Sequence, residues 1–465
     1  MLRKTKIIAT LGPKSSNGNM IKNLISAGVN VFRVNLSHGD KFTHEKTINM
    51  VKSVREKLKK SVAIMVDTRG PEVRVKTFKD GKVKLKTGSD FCFVKDDIIG
   101  DETKVSVTLP SCLDELKVKD VVLLNDGLIK LRVKEVLKDK VVTKVVSGGE
   151  LSNNKGLSFV SKSIKQEYLN EKDVEDLKYL LPLGIDYISA SFVSKKEDVN
   201  SLSKLVSNID NEVKIIAKIE NYEGIKNLND ILSATDGIMV ARGDLGVELP
   251  FEDLPKIQKN MIEKTTSCGK ICIVATEMLE SMIVKTRPTR AEISDVANAV
   301  YDGASAVMLS AETAVGIDPV NCVKTMSKII ISAEKDIDYK QKFLQQKQNP
   351  TNFYDLLGQS AINASFNLKI KAIVIYTNTG KSVGNFCKFK SKVPIIAITD
   401  NQKTFNQLAM YNNCYSTYCK FKTDIFAQAK VMALNTNIVK PNDNIIVITG
   451  SSDKISYCLK IETLN

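Results

Sequence analysis

Residues 214–220 read Lys214-Ile215-Ile216-Ala217-Lys218-Ile219-Glu220, a mostly apolar run that ends on a carboxylate. Seven other short, mostly apolar runs resemble it, at 6–10, 31–35, 62–67, 187–190, 237–241, 271–275 and 306–310. Helical patterns separate most of them, for example at 19–27, 42–60 and 198–207. Buried strands that alternate with helices are typical of a parallel sheet covered on both faces. Eight such units predict a (β/α)8 barrel within an α/β protein.

The 465 residues of the chain exceed what one barrel needs. Residues 72–161 alternate polar with apolar side chains and carry turn signals such as Asp80-Gly81, which predicts a small inserted all-β domain. After a polar stretch at 340–350, apolar runs at 372–376, 394–399 and 444–449 predict a further α/β domain. The expected division is therefore a barrel at 1–71 and 162–340, an inserted domain at 72–161 and a C-terminal domain at 341–465.

The composition excludes several classes of protein. Apolar residues make up 43% of the chain and charged residues 26%, which rules out a disordered or collagen-like chain. No apolar run approaches the roughly 18 residues of a membrane-spanning helix. The first apolar stretch stops at Gly12-Pro13, too early for the core of a signal peptide, so we expect a cytoplasmic protein.

The net charge of +15 comes mostly from scattered lysines, with no tryptophan and no basic tail that carries aromatic residues. We interpret this excess as solvated surface, so neither a nucleic acid nor a membrane is an expected partner. Nine cysteines without a CxxC spacing indicate reduced thiols and no zinc site. The only two histidines, His38 and His44, exclude a multi-histidine metal centre.

Charged side chains end most of the predicted strands. In a (β/α)8 barrel the active site lies at the C-terminal ends of the strands. A charge on an apolar strand is costly unless it is paired or ligated, so a ring of charged strand ends indicates a site. The strand ends concerned carry Arg33, Asp67, Lys218 with Glu220, Arg242 with Asp244, Thr276 with Glu277, and Glu312.

The residue types at this rim indicate phosphoryl transfer. Mg²⁺ is usually held by one or two carboxylates, which Glu220 and Asp244 supply from neighbouring strands. Arg33 and Lys218 supply positive charge for a phosphoryl group. Gly243 allows backbone N–H groups to approach an anion. Hard oxygens suited to a monovalent cation come from Asn35, Ser37, Asp67 and Thr68. A lone Lys-x-Glu is more often a structural ion pair, but the whole set favours catalysis by positioning and charge neutralisation.

Longer motifs make a family resemblance plain. The stretches concerned are 30–39, 67–74, 216–224, 236–246, 275–282 and 287–300, among them Asp67-Thr68-Arg69-Gly70-Pro71-Glu72-Val73-Arg74. With these motifs the chain resembles pyruvate kinase over nearly its whole length. The resemblance implies transfer of the phosphoryl group of phosphoenolpyruvate to ADP, which gives pyruvate and ATP in glycolysis. It also implies Mg²⁺ (or Mn²⁺) and K⁺ as cofactors, a small β-barrel lid as the inserted domain, and a homotetramer.

The resemblance also implies a role for each matching residue. Arg33 binds the substrate phosphate, Lys218 stabilises the phosphoryl group in flight, and Thr276 lies where a proton relay is needed. Gly243, Asp244 and Thr276 contact the pyruvate moiety, and Glu220 with Asp244 holds Mg²⁺. The implied K⁺ ligands are Asn35, Ser37, Asp67 and Thr68. The implied nucleotide-binding residues are Asn35, Leu36, Ser37, His38, Arg74 and Lys155, and the implied lid contact is Asp126.

Three further features of the sequence bear on the comparison with this family. Glu72 matches the branch of the family that requires K⁺, whereas branches with lysine there supply the charge themselves. The turn Thr377-Asn378-Thr379-Gly380-Lys381-Ser382 resembles half a P-loop and is a candidate for an effector phosphate. The chain departs from the family pattern at Arg69, Glu277 and Ala311, and in the returning hinge at 156–161.

Two alternative functions stay open at this stage. One is a Mg²⁺-dependent lyase or mutase barrel that acts on phosphoenolpyruvate or pyruvate, against which the inserted domain argues. The other is a catalytically silent scaffold or a basic nucleic-acid binder, against which the intact Lys218, Glu220, Asp244 and Thr276 argue.

Overall fold

A computed structural model describes residues 2–125, 127–160, 167–345, 352–421, 424–450 and 457–464. The chain starts with three strands of a parallel barrel and the helices between them. These elements are β1 (Lys6–Thr10), α1 (Gly18–Ala27), β2 (Val31–Asn35), α2 (Lys41–Leu58) and β3 (Ala63–Asp67).

The residues after β3 form the inserted domain. Its strands are β4 (Lys82–Leu85), β5 (Asp90–Val94), β6 (Lys104–Ser106), β7 (Val121–Leu124), β8 (Ile129–Val136), β9 (Lys140–Ser147), β10 (Gly149–Ser152) and β11 (Leu157–Phe159). They pair as a six-stranded sheet, β11-β7-β8-β9-β5-β6, and a two-stranded sheet, β10-β4. Both sheets contribute to one hydrophobic core, which includes Leu85, Phe91, Phe93, Leu131 and Leu151.

The chain then completes the barrel. The elements are α3 (Glu171–Leu180), β12 (Tyr187–Ala190), α4 (Lys196–Ser207), β13 (Lys214–Ile219), α5 (Tyr222–Lys226), α6 (Leu228–Ala234), β14 (Gly237–Ala241), α7 (Arg242–Glu248), α8 (Leu254–Ser267), β15 (Ile271–Ala275), α9 (Arg290–Asp302), β16 (Ala306–Leu309), α10 (Ala311–Ala314) and α11 (Pro319–Asp336). Eight parallel strands close in the order β1-β16-β15-β14-β13-β12-β3-β2, which confirms the predicted (β/α)8 barrel.

The remaining residues form a layered α/β domain. Its elements are α12 (Tyr339–Gln345), α13 (Phe353–Asn367), β17 (Ile370–Tyr376), α14 (Lys381–Cys387), β18 (Ile395–Thr399), α15 (Gln402–Gln407), β19 (Cys414–Tyr418), α16 (Ile425–Asn435), β20 (Asn444–Gly450) and β21 (Tyr457–Thr463). The sheet order is β19-β18-β17-β20-β21, with β21 antiparallel to β20. The expected C-terminal α/β fold is therefore confirmed.

This C-terminal domain packs against the N-terminal ends of the barrel strands. Tyr187, at the start of β12, donates its hydroxyl to the Gln407 carbonyl at 2.6 Å. The Lys6 ammonium, at the start of β1, donates to the Cys414 carbonyl at 2.6 Å. Side chains inside the barrel and side chains of the C-terminal domain belong to one hydrophobic cluster. The opposite end of the barrel is thus left for the site.

Alternation along the strands explains which side chains reach that end. Val31, Met65, Tyr187 and Ile216 belong to the cluster that fills the barrel interior. Successive residues of a strand point to opposite faces, so the residues two positions later also face inward. Those residues are Arg33, Asp67, Ser189 and Lys218. Four polar side chains therefore form the layer next to the C-terminal ends of the strands.

Within the described residues, no helix combines the length and the apolar character that a bilayer-spanning segment requires.

Candidate active site

An ion cluster centred on Asp67 lies at the C-terminal end of the barrel interior. Arg33 donates from Nε to Asp67 Oδ2 at 2.8 Å, its Nη2 contacts the same oxygen, and its Nη1 donates to Thr10 Oγ1 at 3.2 Å. The Lys218 ammonium lies 3.3 Å from Asp67 Oδ1. Asp67 is only 1% exposed, so one carboxylate holds two cationic side chains in place at the rim. A phosphoryl group needs positive charge arranged in this way.

Lys218 also contacts the carboxylate that follows its own strand. Its Nζ lies 3.0 Å from Glu220 Oε1. Burial disfavours the ammonium form, but Asp67 and Glu220 outweigh burial and raise the pKa of Lys218. Burial likewise disfavours the Asp67 carboxylate, and Arg33 with Lys218 nevertheless lowers the pKa of that group. Lys218 is therefore held charged at neutral pH.

The two carboxylates predicted to hold Mg²⁺ come from neighbouring strands. Glu220 follows β13 and is 2% exposed, whereas Asp244 lies in α7, directly after β14, and is exposed. Burial raises the pKa of Glu220 to about 7, with further increases from Asp244 and Asp67 and an opposing effect of Lys218.

This donor set fits a magnesium ion. Mg²⁺ is usually bound by one or two carboxylates, with waters and substrate phosphates completing the shell. Among the described residues, no three His, Cys, Asp or Glu side chains surround a common point. Glu220 and Asp244 therefore suit a cation shared with a substrate better than a closed structural metal site.

Thr276 lies at the end of β15 with an unusual backbone. Its φ is +69°, and the φ of Glu277 is +52°. Such left-handed conformations cost about 1–3 kcal/mol in residues other than glycine, and they persist where the surroundings fix them. Arg242 fixes this one. It contacts the Thr276 carbonyl, donates to the Ala275 carbonyl at 3.2 Å, and pairs with Asp295 at 2.6 Å.

The Thr276 hydroxyl and Gly243 face each other. The Gly243 N–H donates to Thr276 Oγ1 at 2.8 Å, and that hydroxyl donates to the Ala275 carbonyl at 2.6 Å. The atoms nearest to a Cβ placed on Gly243 would belong to the Thr276 side chain, at 3.6 Å or more, which is ordinary contact. Packing within the chain therefore does not demand glycine here.

The proposed K⁺ ligands lie on the adjacent strands β2 and β3. Asn35 and Asp67 are register partners, and Thr68 follows Asp67. Asn35 Oδ1 accepts the Ser37 N–H at 3.1 Å, which shapes the loop that continues to the exposed His38. The four predicted oxygens therefore come from two neighbouring segments of the rim.

The predicted nucleotide-binding residues divide into two groups. Asn35 ends β2, and Leu36, Ser37 and His38 follow it in the next loop, where Leu36 is fully buried and Ser37 and His38 are exposed. Arg74 and Lys155 lie on the paired segments where the inserted domain begins and ends: Arg74 pairs with Gly156, and the Val75 N–H donates to the Lys155 carbonyl at 3.0 Å.

A cleft of about 650 Å³ separates the inserted domain from the barrel. Glu220 and Asp244 line it from the barrel, and Leu157 and Phe159 line it from the inserted domain. Asp126 lies outside the described residues. Its neighbour Gly127 faces Val247 of α7, because a Cβ placed on Gly127 would lie 3.4 Å from that side chain. This loop of the inserted domain therefore meets the barrel beside the carboxylates.

The end of the fourth barrel strand also belongs to the site, although it was not predicted from the sequence. Ser191 and Phe192 follow β12 and contact the predicted catalytic groups directly. Lys218 Nζ donates to Ser191 Oγ at 2.6 Å, and the Phe192 N–H donates to Glu220 Oε2 at 2.6 Å. The available signal was the strand-end rule itself, applied to β12 as it was to the other strands.

The candidate effector turn lies in the C-terminal domain, away from the rim. The Thr377 hydroxyl accepts the Gly380 N–H at 3.0 Å and so closes the turn on itself. Asn378, Thr379 and Lys381 are exposed, and Ser382 is half-buried. Gly380, at φ +78°, faces Lys214 of β13. Binding of a phosphorylated effector here stays a prediction.

Two family models match the chain: the barrel domain of pyruvate kinase over residues 2–323, and the alpha/beta domain of pyruvate kinase over residues 355–457. The chain is 40% identical to the pyruvate kinase of Clostridium perfringens, with full coverage of both chains. It is 41% identical to that of Geobacillus stearothermophilus, over 97% of this chain and 78% of that protein.

A solved structure agrees with these matches. The crystal structure of a pyruvate kinase from Cryptosporidium parvum aligns with a TM-score of 0.95 at 32% identity, over 100% of this chain and 96% of that one. Its similarity therefore extends over the barrel, the inserted domain and the C-terminal domain.

Proposed function

This chain belongs to the pyruvate kinase family and transfers the phosphoryl group of phosphoenolpyruvate to ADP, and from that premise we propose which of its residues carry the reaction. The observation that carries the proposal is the position of Arg33 and Lys218 on either oxygen of the buried Asp67. Two cations held at one rim are suited to binding a phosphoryl group and neutralising its charge in flight.

The family is metal-dependent, and in our proposal Glu220 and Asp244 hold Mg²⁺ or Mn²⁺. When bound, the ion supplies positive charge to the phosphoryl and carboxylate oxygens of the substrate. Gly243 and Asp244 contact the pyruvate moiety. Thr276 takes part in the proton relay to the enolate, and its hydroxyl, which is fixed by Gly243 and Ala275, is the group that holds the proton.

The nucleotide and the monovalent cation occupy the neighbouring strand ends. Asn35 to His38, Arg74 and Lys155 face ADP, and Asn35, Ser37, Asp67 and Thr68 ligate K⁺. The inserted domain, 72–161, acts as a lid that carries Asp126 toward the barrel. The barrel at 1–71 and 162–340 and the C-terminal domain at 341–465 complete the proposed division.

A cytoplasmic location and a homotetrameric assembly belong to the same proposal, and both rest on the family.

Neither alternative function gains support. The relatives that match the chain over its whole length are named as pyruvate kinases, not as lyases or mutases. The charged groups expected of a phosphotransferase are present and lie together at one rim.

Replacing Arg33 by lysine tests the phosphate site. We expect the dissociation constant of phosphoenolpyruvate to rise about tenfold or more, because lysine keeps the charge but loses the planar fork that holds Asp67 and Thr10. Titration calorimetry with the wild type and the variant measures this change. Arg132→Lys, at an exposed position of β8, is the matched control. Equal affinity in Arg33→Lys and in the control would contradict the assignment.

Replacing Glu72 by lysine tests the cation requirement. We expect turnover without K⁺ to rise relative to turnover with K⁺, because the ammonium supplies the charge that the cation otherwise brings. Glu72 also pairs with Arg74, so Glu72→Lys removes that contact as well. Glu72→Gln removes the pair without adding a cation and is therefore the control. An unchanged K⁺ requirement in Glu72→Lys would remove this role of Glu72.

A further inference from the structure

Ser191 is a buried serine whose hydroxyl has two defined partners. It is 1% exposed, and its Oγ accepts from Lys218 Nζ at 2.6 Å and donates to the Thr68 carbonyl at 2.7 Å. An ammonium group only donates, so the single proton of the hydroxyl must point to Thr68. The Ser191 N–H also donates to Thr68 Oγ1 at 3.1 Å. The direction of every hydrogen bond around this serine is therefore fixed.

The Lys218 ammonium donates to Ser191 Oγ, and its Nζ also lies 3.3 Å from Asp67 Oδ1 and 3.0 Å from Glu220 Oε1 as an ion pair with each carboxylate. Two of these partners are carboxylates, which orient the ammonium but also offset its charge. Ser191 is the neutral one. A neutral acceptor fixes the direction of a cation and leaves its charge for the substrate.

The segment that carries Ser191 is held from both sides. Phe192 has a φ of +56°, a strained value for a bulky residue, and its N–H donates to Glu220 Oε2 at 2.6 Å. On the other side lies Gly70, at φ +71°, where the chain leaves β3 for the inserted domain. A Cβ on Gly70 would lie 2.8 Å from both Cβ and the carbonyl oxygen of Ser191.

Hydrogen bonds at this point join the two barrel segments that flank the inserted domain. Asp173 accepts the Gly70 N–H at 2.8 Å and the Arg69 N–H at 3.0 Å. Asn170, on the returning segment, donates to the Gly70 carbonyl at 3.1 Å. Ser191 thus lies between the start of the inserted domain and Lys218.

We propose that Ser191 is a positioning residue for the Lys218 ammonium, and that it holds this ammonium in the direction required for phosphoryl transfer. The inference rests on the proposed function of Lys218. It assigns no contact between Ser191 and substrate. Loss of the Ser191 hydroxyl is therefore expected to slow only the step in which Lys218 takes part.

Ser191→Ala tests the proposal, and Ser189→Ala is its matched control. Ser189 lies in β12, two residues before Ser191, is fully buried, and its Oγ has no hydrogen-bond partner among the described residues. For Ser191→Ala we expect kcat for phosphoryl transfer to fall about 10- to 100-fold, the range for residues that orient a functional group. We expect the KM for phosphoenolpyruvate to change by less than about threefold.

A second assay distinguishes a positioning role of Ser191 from a general loss of structure. Exchange of the methyl protons of pyruvate with D₂O, followed by NMR, requires enolisation but no phosphoryl transfer. We expect Ser191→Ala to keep this exchange within about threefold of the control, because Lys218 acts on the phosphoryl group. An equal loss of exchange and transfer would overturn the proposal, and so would a Ser191→Ala variant that matches Ser189→Ala in both reactions.

A double-mutant comparison tests the proposal even if Ser191→Ala lowers the stability of the protein. In the Lys218→Met background, Ser191→Ala is expected to cause no further loss of transfer, because the group that it positions is gone. Additive losses would overturn the proposal. If Ser191→Ala does not fold, Ser191→Cys, which keeps a weak acceptor, replaces it in every measurement. We again expect phosphoryl transfer to fall more than methyl-proton exchange. A wild type that does not transfer a phosphoryl group would instead refute the proposed function.

Discussion

Replacing Lys218 by methionine is expected to lower the rate of phosphoryl transfer by about three orders of magnitude or more, while exchange of the pyruvate methyl protons survives. The ammonium faces the rim beside Arg33 and is held there by Asp67 and Glu220. Its charge matters most when the phosphoryl group is between donor and acceptor, since charge that develops in the transition state is what preorganised cations stabilise. Enolisation of pyruvate places no phosphoryl group beside Lys218, so that reaction should persist.

The fold should tolerate this substitution. Methionine is close to lysine in shape, and Asp67 keeps its contacts with Arg33 when Lys218 is lost. Lys259→Met is the control, since Lys259 is exposed on α8 and pairs with Asp302 on the outside of the barrel. Initial rates of pyruvate release and NMR of methyl exchange measure the two reactions. Near-normal transfer by Lys218→Met would remove Lys218 from the mechanism.

Replacing Glu220 by glutamine is expected to lower kcat/KM by about a thousandfold and to raise the Mg²⁺ concentration needed for half-maximal rate. Glutamine keeps the shape of the side chain and an oxygen for the Phe192 N–H, but it removes one of the two carboxylates to which we assign the divalent cation. A divalent cation with a single protein carboxylate binds more weakly, because its remaining ligands are waters and substrate oxygens.

Glu248→Gln is the matched control for this prediction. Glu248 lines the same cleft, accepts the Tyr222 N–H at 3.1 Å, and has a pKa that burial raises to about 7, yet it has no assigned role in metal binding. Titration of each variant with Mn²⁺, followed by electron paramagnetic resonance, measures metal binding apart from turnover. Equal Mn²⁺ affinity in Glu220→Gln and Glu248→Gln would contradict the metal assignment.

The barrel could be predicted from sequence because its signal is local and repeated. Each strand is a short apolar run buried on both faces, and the predicted run at 214–219 is the observed β13. In the C-terminal domain, β19 and β21 were not predicted. β21 reads Tyr-Cys-Leu-Lys-Ile-Glu-Thr, a half-exposed edge strand, so its apolar pattern is weak and depends on pairing with β20.

The convergence of Arg33, Asp67, Lys218 and Glu220 could also be predicted, because strand ends of a closed barrel share one rim. Ser191 escaped prediction for a physical reason: a serine after a strand is common, and its function lies in a contact with Lys218 from the next strand. The left-handed backbone of Thr276 escaped prediction as well, since only tertiary contacts such as those of Arg242 impose it.

The central claim is that this rim transfers a phosphoryl group from phosphoenolpyruvate to ADP with the help of a divalent and a monovalent cation. The most direct measurement is the rate of pyruvate release from phosphoenolpyruvate in the presence of Mg²⁺, with and without ADP, and with K⁺ or Na⁺ as the only monovalent ion. We predict turnover that requires ADP and is much faster with K⁺ than with Na⁺. Folded protein that releases no pyruvate under any of these conditions would contradict the account.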